Sequence, residues 1–154
     1  MIVEKSVIKT EAKFSDDKEY RYILSKEWNN KKPRAMVIMT NPSSAGELVL
    51  DLTTLYTINN LVALDYGAVD IVNIYPKVSS KLRADDVDLK EIGISDQLIV
   101  EMAEKVDSII IAWGRIGEKS KAIEKLQYRD WETDRKSTRL NSSHRSLSRM
   151  PSSA

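Results

Sequence analysis

The chain has no cysteine and only one histidine, His144, which lies near its carboxyl end. The absence of cysteine excludes disulfides, cysteine nucleophiles and zinc sites built from thiolates. Residues 1–127 contain no histidine either, so they cannot form a serine–histidine–aspartate triad. The side chains left for chemistry are carboxylates, asparagine, tyrosine, serine, lysine and arginine. Nothing in their spacing implies a cofactor or a metal site.

Long apolar runs and a strong net charge are also lacking. No uninterrupted apolar segment approaches the roughly 20 residues of a membrane helix, and residues 1–10 lack the apolar core of a signal peptide. Residues 128–154 hold six basic and three acidic residues, which leaves 18 basic and 20 acidic residues in 1–127, a net charge of −2. These features predict a soluble cytoplasmic protein that has no membrane partner and no global basic surface for nucleic acid.

Apolar patterns of strand and helix type alternate along residues 1–127. Continuous apolar runs near residues 34–40, 69–75 and 108–113 predict three core strands. Polar–apolar alternation near residues 20–28 predicts a half-buried strand, antiparallel to the others, at an edge or beside the first core strand. We therefore expect a single α/β domain: a three-layer sandwich with a mostly parallel central sheet and an N-terminal edge strand.

Three helices are expected between and after the core strands. Asp51 is placed to cap the first helix. The apolar stripe of that helix comprises Leu55, Ile58, Leu61 and Val62. Ser95 is expected to cap the second helix, with Ile94 and Ile99 forming a hydrophobic staple across its first turn. The third helix is expected to begin near Glu118.

The apolar pattern stops at Tyr128, and serine and arginine dominate the rest of the chain. Such a composition is typical of a disordered basic tail or of an arm that binds nucleic acid. Residues 134–144, however, resemble residue for residue the translation of a widely used sequencing adapter. We therefore expect residues 128–154 to be a non-native, disordered tail, and the natural chain to continue differently beyond about Leu126.

Unusual polar residues follow each of the three core strands. The three groups are Asn41-Pro42-Ser43-Ser44, Asn73-Ile74-Tyr75-Pro76 and Trp113-Gly114-Arg115. Because the carboxyl ends of parallel strands lie at one edge of a sheet, these groups are expected to meet there and to form a binding site. The candidate ligand-binding residues are Ser43, Ser44, Asp51, Thr53, Asn73, Tyr75, Trp113 and Gly114.

Each group also has a purely structural explanation, and the sequence leaves both interpretations open. Asn41 precedes a proline and can bond its own backbone. Asn73 can clamp a neighbouring loop, and Trp113 can close the core. Asp51 and Thr53, at the start of the first helix, are explained by helix capping. No histidine is present to activate the two serines, so the pattern favours ligand binding over nucleophilic attack.

Six short elements occur in an order and spacing that resemble a known family. They are Tyr20-Arg21-Tyr22-Ile23-Leu24, Trp28, Met39-Thr40-Asn41-Pro42-Ser43-Ser44-Ala45, Asp51-Leu52-Thr53, Val72-Asn73-Ile74-Tyr75-Pro76 and Ile111-Ala112-Trp113-Gly114. The family is an uncharacterised one of bacteria and phages, catalogued as domain of unknown function 1643. The resemblance covers most of residues 1–126 and implies no established activity. Members usually continue into a further strand, a glycine-rich stretch and a His-Pro-Leu element, which this chain lacks.

A more distant resemblance is to the layout of uracil-DNA glycosylases. The shared features are an Asn-Pro loop after the first core strand, an asparagine at the end of the second and a glycine after the third. The resemblance implies a catalytic role for Asn41, which would position the attacking water. It implies that Asn73 reads a flipped base and that Tyr75 stacks on it. The terminal histidine of that layout is absent here.

Two functions of different classes follow from these patterns. The first is a nucleotide- or nucleobase-binding α/β domain, in its more specific form a base-processing hydrolase, whose ligand is a nucleotide, a nucleobase or DNA. The second is a non-enzymatic protein-interaction module of a phage or mobile element, in which the charged residues 77–91 contact an unknown protein partner. If the side chains of Asn41, Asn73 and Trp113 surround one pocket, the first function gains support; if they point into separate cores, the second does.

Overall fold

The structure, a computed structural model that describes residues 1–43, 46–81 and 87–113, has an α/β fold with a mixed sheet. Its elements are β1 (Lys9–Phe14), β2 (Arg21–Glu27), β3 (Arg34–Met39), α1 (Leu52–Ala63), β4 (Ala68–Asn73), α2 (Leu89–Ala103) and β5 (Ser108–Ala112). The described strands form one five-stranded sheet in the order β1-β2-β4-β3-β5. β3 pairs in parallel with β4 and β5, whereas β2 pairs antiparallel with β1 and β4.

The prediction of a mostly parallel sheet with an edge strand near residues 20–28 is wrong in two respects. β2 lies inside the sheet, because β4 pairs along one side of it and β1 along the other. Two of the four strand pairings are therefore antiparallel. The sequence pattern does not identify β1, since Lys9, Glu11 and Lys13 give it the charged, exposed face that is typical of a protected edge. The three core strands lie where the apolar runs predict them.

Two hydrophobic clusters lie on opposite faces of the sheet, because successive residues of a strand point to opposite sides. One cluster contains Ile38 from β3 and Ile99 from α2, and we call its side the α2 face. The other contains Val37 from β3 and Leu61 from α1, and we call its side the α1 face. The third helix of the predicted three-layer sandwich lies outside the described residues, so that part of the prediction stays untested.

Helix α1 has the predicted cap but presents a different stripe to the sheet. The Asp51 carboxylate accepts a hydrogen bond from the Thr54 backbone N–H at 2.8 Å, as predicted for an N-cap. The buried residues are Thr54, Thr57, Ile58 and Leu61, while Leu55 and Val62 of the predicted stripe are exposed. A stripe predicted from apolar residues alone does not include threonine. Thr57 can be buried because its hydroxyl donates to the Thr53 carbonyl oxygen at 2.8 Å.

Helix α2 begins at Leu89, so the prediction that Ser95 caps it is wrong. Asp88 is the N-cap, and its carboxylate accepts from the backbone N–H groups of the second and third helical residues, Lys90 and Glu91, which have no partner within the first turn. Ser95 is buried within the helix, where its hydroxyl donates to the Asn73 carbonyl oxygen at 2.6 Å. Ile94 is exposed and does not form the predicted staple. Ser95 instead joins α2 to the end of β4.

Gly67 lies in the turn between α1 and β4, where the chain passes close to the turn between β2 and β3. Its carbonyl oxygen accepts from the backbone N–H groups of Trp28 and Asn29, both at 2.9 Å. A Cβ atom added to Gly67 would lie 1.9 Å from the Asn29 carbonyl oxygen, a distance that requires the backbone to move. The residue must therefore be glycine for steric reasons.

Gly67→Ala is expected to lower the free energy of unfolding by about 1–3 kcal/mol, the usual cost of overpacking. Gly93→Ala is the matched control, because an added Cβ would contact nothing within 4 Å in the exposed part of α2. That control should raise the free energy of unfolding by roughly 0.5–1 kcal/mol through helix propensity. Urea denaturation of both variants measures the difference. A similar change in both would contradict the steric role of Gly67.

Candidate functional site

The antiparallel pairing of β2 brings its first residue to the edge of the sheet where β3 and β4 end. Ile23 of β2 pairs with Val72, and Met39 at the end of β3 pairs with Asn73. Arg21, Asn73 and the loop that follows Met39 therefore lie at the same edge, which we call the carboxyl edge. The loop leads to the amino end of α1, so that helix also begins at the carboxyl edge.

Asn73 is the last residue of β4 and has a buried side chain. It shares a face with its register partner Met39, which packs in the cluster on the α1 face. Asn73 is 0% exposed, and neither its Oδ1 nor its Nδ2 has a hydrogen-bond partner among the described residues. A buried polar group left unpaired costs about 1–3 kcal/mol. An amide without partners would destabilise the fold, so Asn73 is a candidate for a role other than packing.

Asp51 is held in its charged form by the groups around it. Ser43 donates its hydroxyl to Asp51 Oδ2, and the Thr54 backbone N–H donates to Oδ1. Burial raises the pKa of Asp51, but the hydrogen bonds from Ser43 and Thr54 and the charge of Arg21 outweigh it and bring the pKa below its ordinary value of 3.8. Asp51 and Ser43, two residues that the sequence predicts for the site, are thus in direct contact, with the neutral Ser43 hydroxyl donating to the ionised Asp51 carboxylate.

Arg21 and Lys26 of β2 are two buried cations that the sequence analysis does not single out. They are 2% and 3% exposed, respectively. Burial lowers the pKa of Arg21, while the nearby Asp51 charge opposes that shift. The sequence carries a signal for Lys26, because this lysine alternates with the apolar Leu24 and Trp28 and shares their face of the strand.

Lys26 reaches the loop that leads to α1. Its Nζ donates to Thr10 Oγ1 at 3.1 Å and to the Glu47 backbone oxygen at 3.0 Å. Burial lowers the pKa of Lys26, the Glu47 carboxylate opposes this, and the charge of Arg21 lowers it further. The two cations therefore repel each other in a region with little water.

Asn41 connects the loop after β3 with the segment after β4. Its Nδ2 donates to the Ser79 carbonyl oxygen at 2.8 Å, and the Ser79 N–H donates to the Pro42 carbonyl oxygen at 3.2 Å. Since a carbonyl oxygen can only accept, the contact with Ser79 determines which end of the Asn41 amide is the nitrogen. In the part of the chain that the structure describes, no donor is bonded to Asn41 Oδ1. This oxygen can accept a hydrogen bond from a water or a ligand.

The predicted aromatic residues lie on the other side of the sheet. Tyr75 and Trp113 pack against the cluster on the α2 face, together with Tyr20. Asn73 lies on the α1 face, so Asn73 and Trp113 do not surround one pocket, and this separation counts in favour of the protein-interaction hypothesis. The carboxyl edge brings the polar strand ends together as predicted, but the alternation of side chains along the strands separates the aromatic residues from the amide.

Three of the remaining candidates add little or lie outside the described residues. Thr53 is exposed, and its carbonyl oxygen accepts the bond from Thr57 that lies within α1. Ser44 and Gly114 lie outside the described residues. So do residues 82–86 of the charged segment 77–91, which leaves the protein-interaction hypothesis a prediction.

A cleft of about 690 Å³ opens beside the loop that leads to α1. One wall consists of Ser43 and residues 46–49, and the other of Phe14, Lys18 and Val78. Its volume lies within the roughly 300–1,000 Å³ range of small-molecule sites. Ser43 joins the cleft to the carboxyl edge, because it lines the cleft and also donates to Asp51.

The described residues contain neither a cluster of metal ligands nor a membrane-spanning helix. Residues 1–43, 46–81 and 87–113 contain no group of three or more acidic or histidine side chains placed to hold a metal ion. Within the same ranges, neither helix has the length and apolar character needed to cross a membrane.

Asp51→Asn is expected to lower the free energy of unfolding by about 1 kcal/mol at pH 7, because a hydrogen bond to a charged acceptor is stronger than one to a neutral acceptor. The folded-state pKa of Asp51 lies below 3.8, so its stabilising effect is present above pH 3.8 and is lost as the pH falls through the folded-state value. The gap between wild type and variant should therefore close in acid.

Urea denaturation at pH 7 and below pH 3 measures that gap. The control is Asp65→Asn, since the exposed Asp65 forms only a surface ion pair with Lys32 and should contribute little at either pH. A gap for Asp51→Asn that is the same at both pH values would show that its charge is not the source of the stabilisation.

The comparison with known proteins gives a family but no characterised relative. No curated protein and no solved structure matches the chain. The family described as "Protein of unknown function (DUF1643)" matches residues 21–148. The match includes Arg21, Asn41, Asp51 and Asn73, and it also runs through residues 128–148, whose interpretation as adapter-derived stays a prediction. The match confirms the resemblance noted in the strand-end motifs, and the chain belongs to the DUF1643 family of proteins of unknown function.

Proposed function

We propose that the protein binds a nucleobase, alone or within a nucleotide or DNA, at the carboxyl edge, and that Asn73 reads the base. The observation that carries the proposal is the buried Asn73 amide, of which both polar ends lack a partner among the described residues. A primary amide offers an acceptor and a donor in one plane, which complements the carbonyl and N–H groups at the edge of a base. Because the amide is fully buried, neighbouring side chains must move before a base can reach it.

Asp51 and Ser43 lie at the same edge of the sheet as Asn73 and offer further polar groups to a ligand. Asp51 supplies a carboxylate that is ionised at neutral pH, and Ser43 supplies a hydroxyl that also lines the cleft. Phe14 provides an aromatic wall in that cleft. It is therefore a nearer candidate for contact with the face of a base than Tyr75 or Trp113, which lie on the α2 face.

In the more specific form of the proposal, the protein is a base-processing hydrolase. Its reaction adds water to the sugar carbon of an N-glycosidic bond, and the base leaves with the bonding electrons. Asn41 would hold the water, because its Nδ2 is bonded to Ser79 and its Oδ1 can accept a hydrogen bond. Asp51 is the ionised carboxylate at the same edge that can take the proton of the water.

Asn73→Val is expected to abolish ligand binding and at the same time to stabilise the free protein by roughly 1–3 kcal/mol, because it removes two buried unpaired groups. Thermal-shift and calorimetric titrations should use free bases, nucleosides, nucleotides and DNA containing uracil or a mismatch. Release of free base, followed by chromatography, tests the hydrolase.

Asn60→Ala is the matched control. Asn60 is exposed on α1, where its amide bonds the Tyr56 carbonyl oxygen within the same helix, so its loss should leave binding unchanged. The proposal is overturned if no ligand of the panel stabilises the wild type, or if Asn73→Val binds like the wild type. A loss of stability in Asn73→Val would show that the amide has a structural partner.

A further inference from the structure

Helix α1 carries apolar side chains on the side that faces away from the sheet as well as on the side that packs against it. The residues buried against the sheet are Thr54, Thr57, Ile58 and Leu61. A second set of residues is exposed, and we call it the outer stripe: Leu52, Leu55, Asn59 and Val62. A surface helix normally combines one apolar stripe with a charged opposite face. α1 departs from this pattern, since residues 52–64 contain no charged residue.

The outer stripe belongs to a larger exposed apolar surface. Its members are three or four residues apart, which is the spacing of the seam along which one helix packs against another. Leu52 is 66% exposed, and Tyr56, which flanks the stripe, is 53% exposed. The loop before α1 adds the exposed side chains of Leu48, Val49 and Leu50. Single exposed apolar residues are normal, but a patch of them marks an interaction site.

Asn59 is the polar member of the outer stripe. Within residues 1–43, 46–81 and 87–113 its amide has no hydrogen-bond partner, whereas the neighbouring Asn60 amide donates to the Tyr56 carbonyl oxygen at 2.8 Å. A primary amide offers both a donor and an acceptor, so two Asn59 side chains that face each other can bond reciprocally. One asparagine in an otherwise apolar helix seam is also known to specify register and the number of helices that associate.

The charges around α1 favour a second copy of this chain as the partner. In a two-fold dimer the same patch meets itself, so a charged stripe would repel its own copy, whereas an uncharged one does not. The two acidic residues that flank the helix are already engaged. Asp51 accepts a hydrogen bond from the Ser43 hydroxyl, and Asp65 forms an ion pair with Lys32. Complementary charge, which selects a different protein as partner, is not offered by the outer stripe.

We propose that the outer stripe is the interface of a homodimer, in which the α1 helices of two copies pack together and the two Asn59 amides bond across the two-fold axis. Association removes the apolar side chains of both stripes from water. A helix of 12 residues is about 18 Å long and roughly 10 Å wide. Each copy therefore contributes less than the roughly 800 Å² of a standard stable interface. The dimer is expected to dissociate on dilution.

Sedimentation velocity of the full chain over a dilution series tests the proposal. The mass of the wild type should rise with concentration from that of a monomer to twice that value. Leu52→Lys should stay monomeric over the same range, because it places a charge in the apolar seam. Leu89→Lys is the matched control, since Leu89 is also exposed and also the first helical residue after an aspartate cap, but lies in α2. That variant should dimerise like the wild type, and circular dichroism checks that both variants fold.

The absence of cysteine allows a second test, because a single introduced cysteine can form a disulfide only with another copy of the chain. Asn59→Cys should give a covalent dimer on mild oxidation. Asn60→Cys is the control, since its side chain is rotated by about 100° around the helix from the outer stripe. The yield of covalent dimer should be several-fold lower for Asn60→Cys than for Asn59→Cys.

The outcomes that overturn the proposal also identify what occupies the stripe instead. A wild type that is monomeric at every concentration, a dimer that Leu52→Lys leaves intact, or equal cross-linking at positions 59 and 60 overturns the homodimer. In a monomeric protein, slow reaction of Asn59→Cys with a thiol reagent would show that another segment of the same chain covers the stripe. Fast reaction would show that the stripe is open to a different protein. Both results exclude the second copy.

Discussion

The antiparallel pairing of β2 with β4 determines the character of the site. Ile23 pairs with Val72, so the first residue of β2 lies beside the end of β4 instead of at the opposite edge of the sheet. That placement brings the charge of Arg21 to the carboxyl edge, where Asp51 begins α1 and Asn73 ends β4. A parallel neighbour would have put its own carboxyl end there. The chemistry available at this edge thus depends on the direction of one strand.

A second consequence of that pairing is the burial of charge. With β1 on one side and β4 on the other, β2 is an interior strand, and its two basic residues at positions 21 and 26 have almost no contact with water. Buried polar groups lower stability unless they are paired. Among the described residues, the Asn73 amide on the α1 face has no hydrogen-bond partner, whereas the buried Asp70 on the α2 face is paired with Arg34 and with the Ser25 hydroxyl. This difference is why the proposed function concerns the α1 face.

Much of the fold could be predicted from local patterns. The three core strands follow from continuous apolar runs, and the cap of α1 follows from Asp51 before a helical pattern, because both signals reside in a few consecutive residues. β1 could not be predicted in this way, since its charged residues are compatible with a loop and its strand character comes from pairing with β2. The N-cap of α2 could not be predicted from the local sequence for a similar reason. Ser95 looks like a cap locally, but its hydroxyl is bonded to the distant carbonyl oxygen of Asn73.

The sequence by itself determined the family, the positions of the core strands, and the polar residues that end them, because these depend on residue identity and short-range periodicity. It also determined that histidine and cysteine chemistry is absent from residues 1–127. Only the tertiary structure decided which of those polar residues share a face. Asn73 and Trp113 both end core strands, yet they lie on opposite faces, since the register of the parallel strands and the twofold alternation of side chains set their directions. Only the structure shows the burial of Arg21 and, within the described residues, the absence of hydrogen-bond partners at the Asn73 amide, because burial and hydrogen bonding depend on segments far apart in the chain.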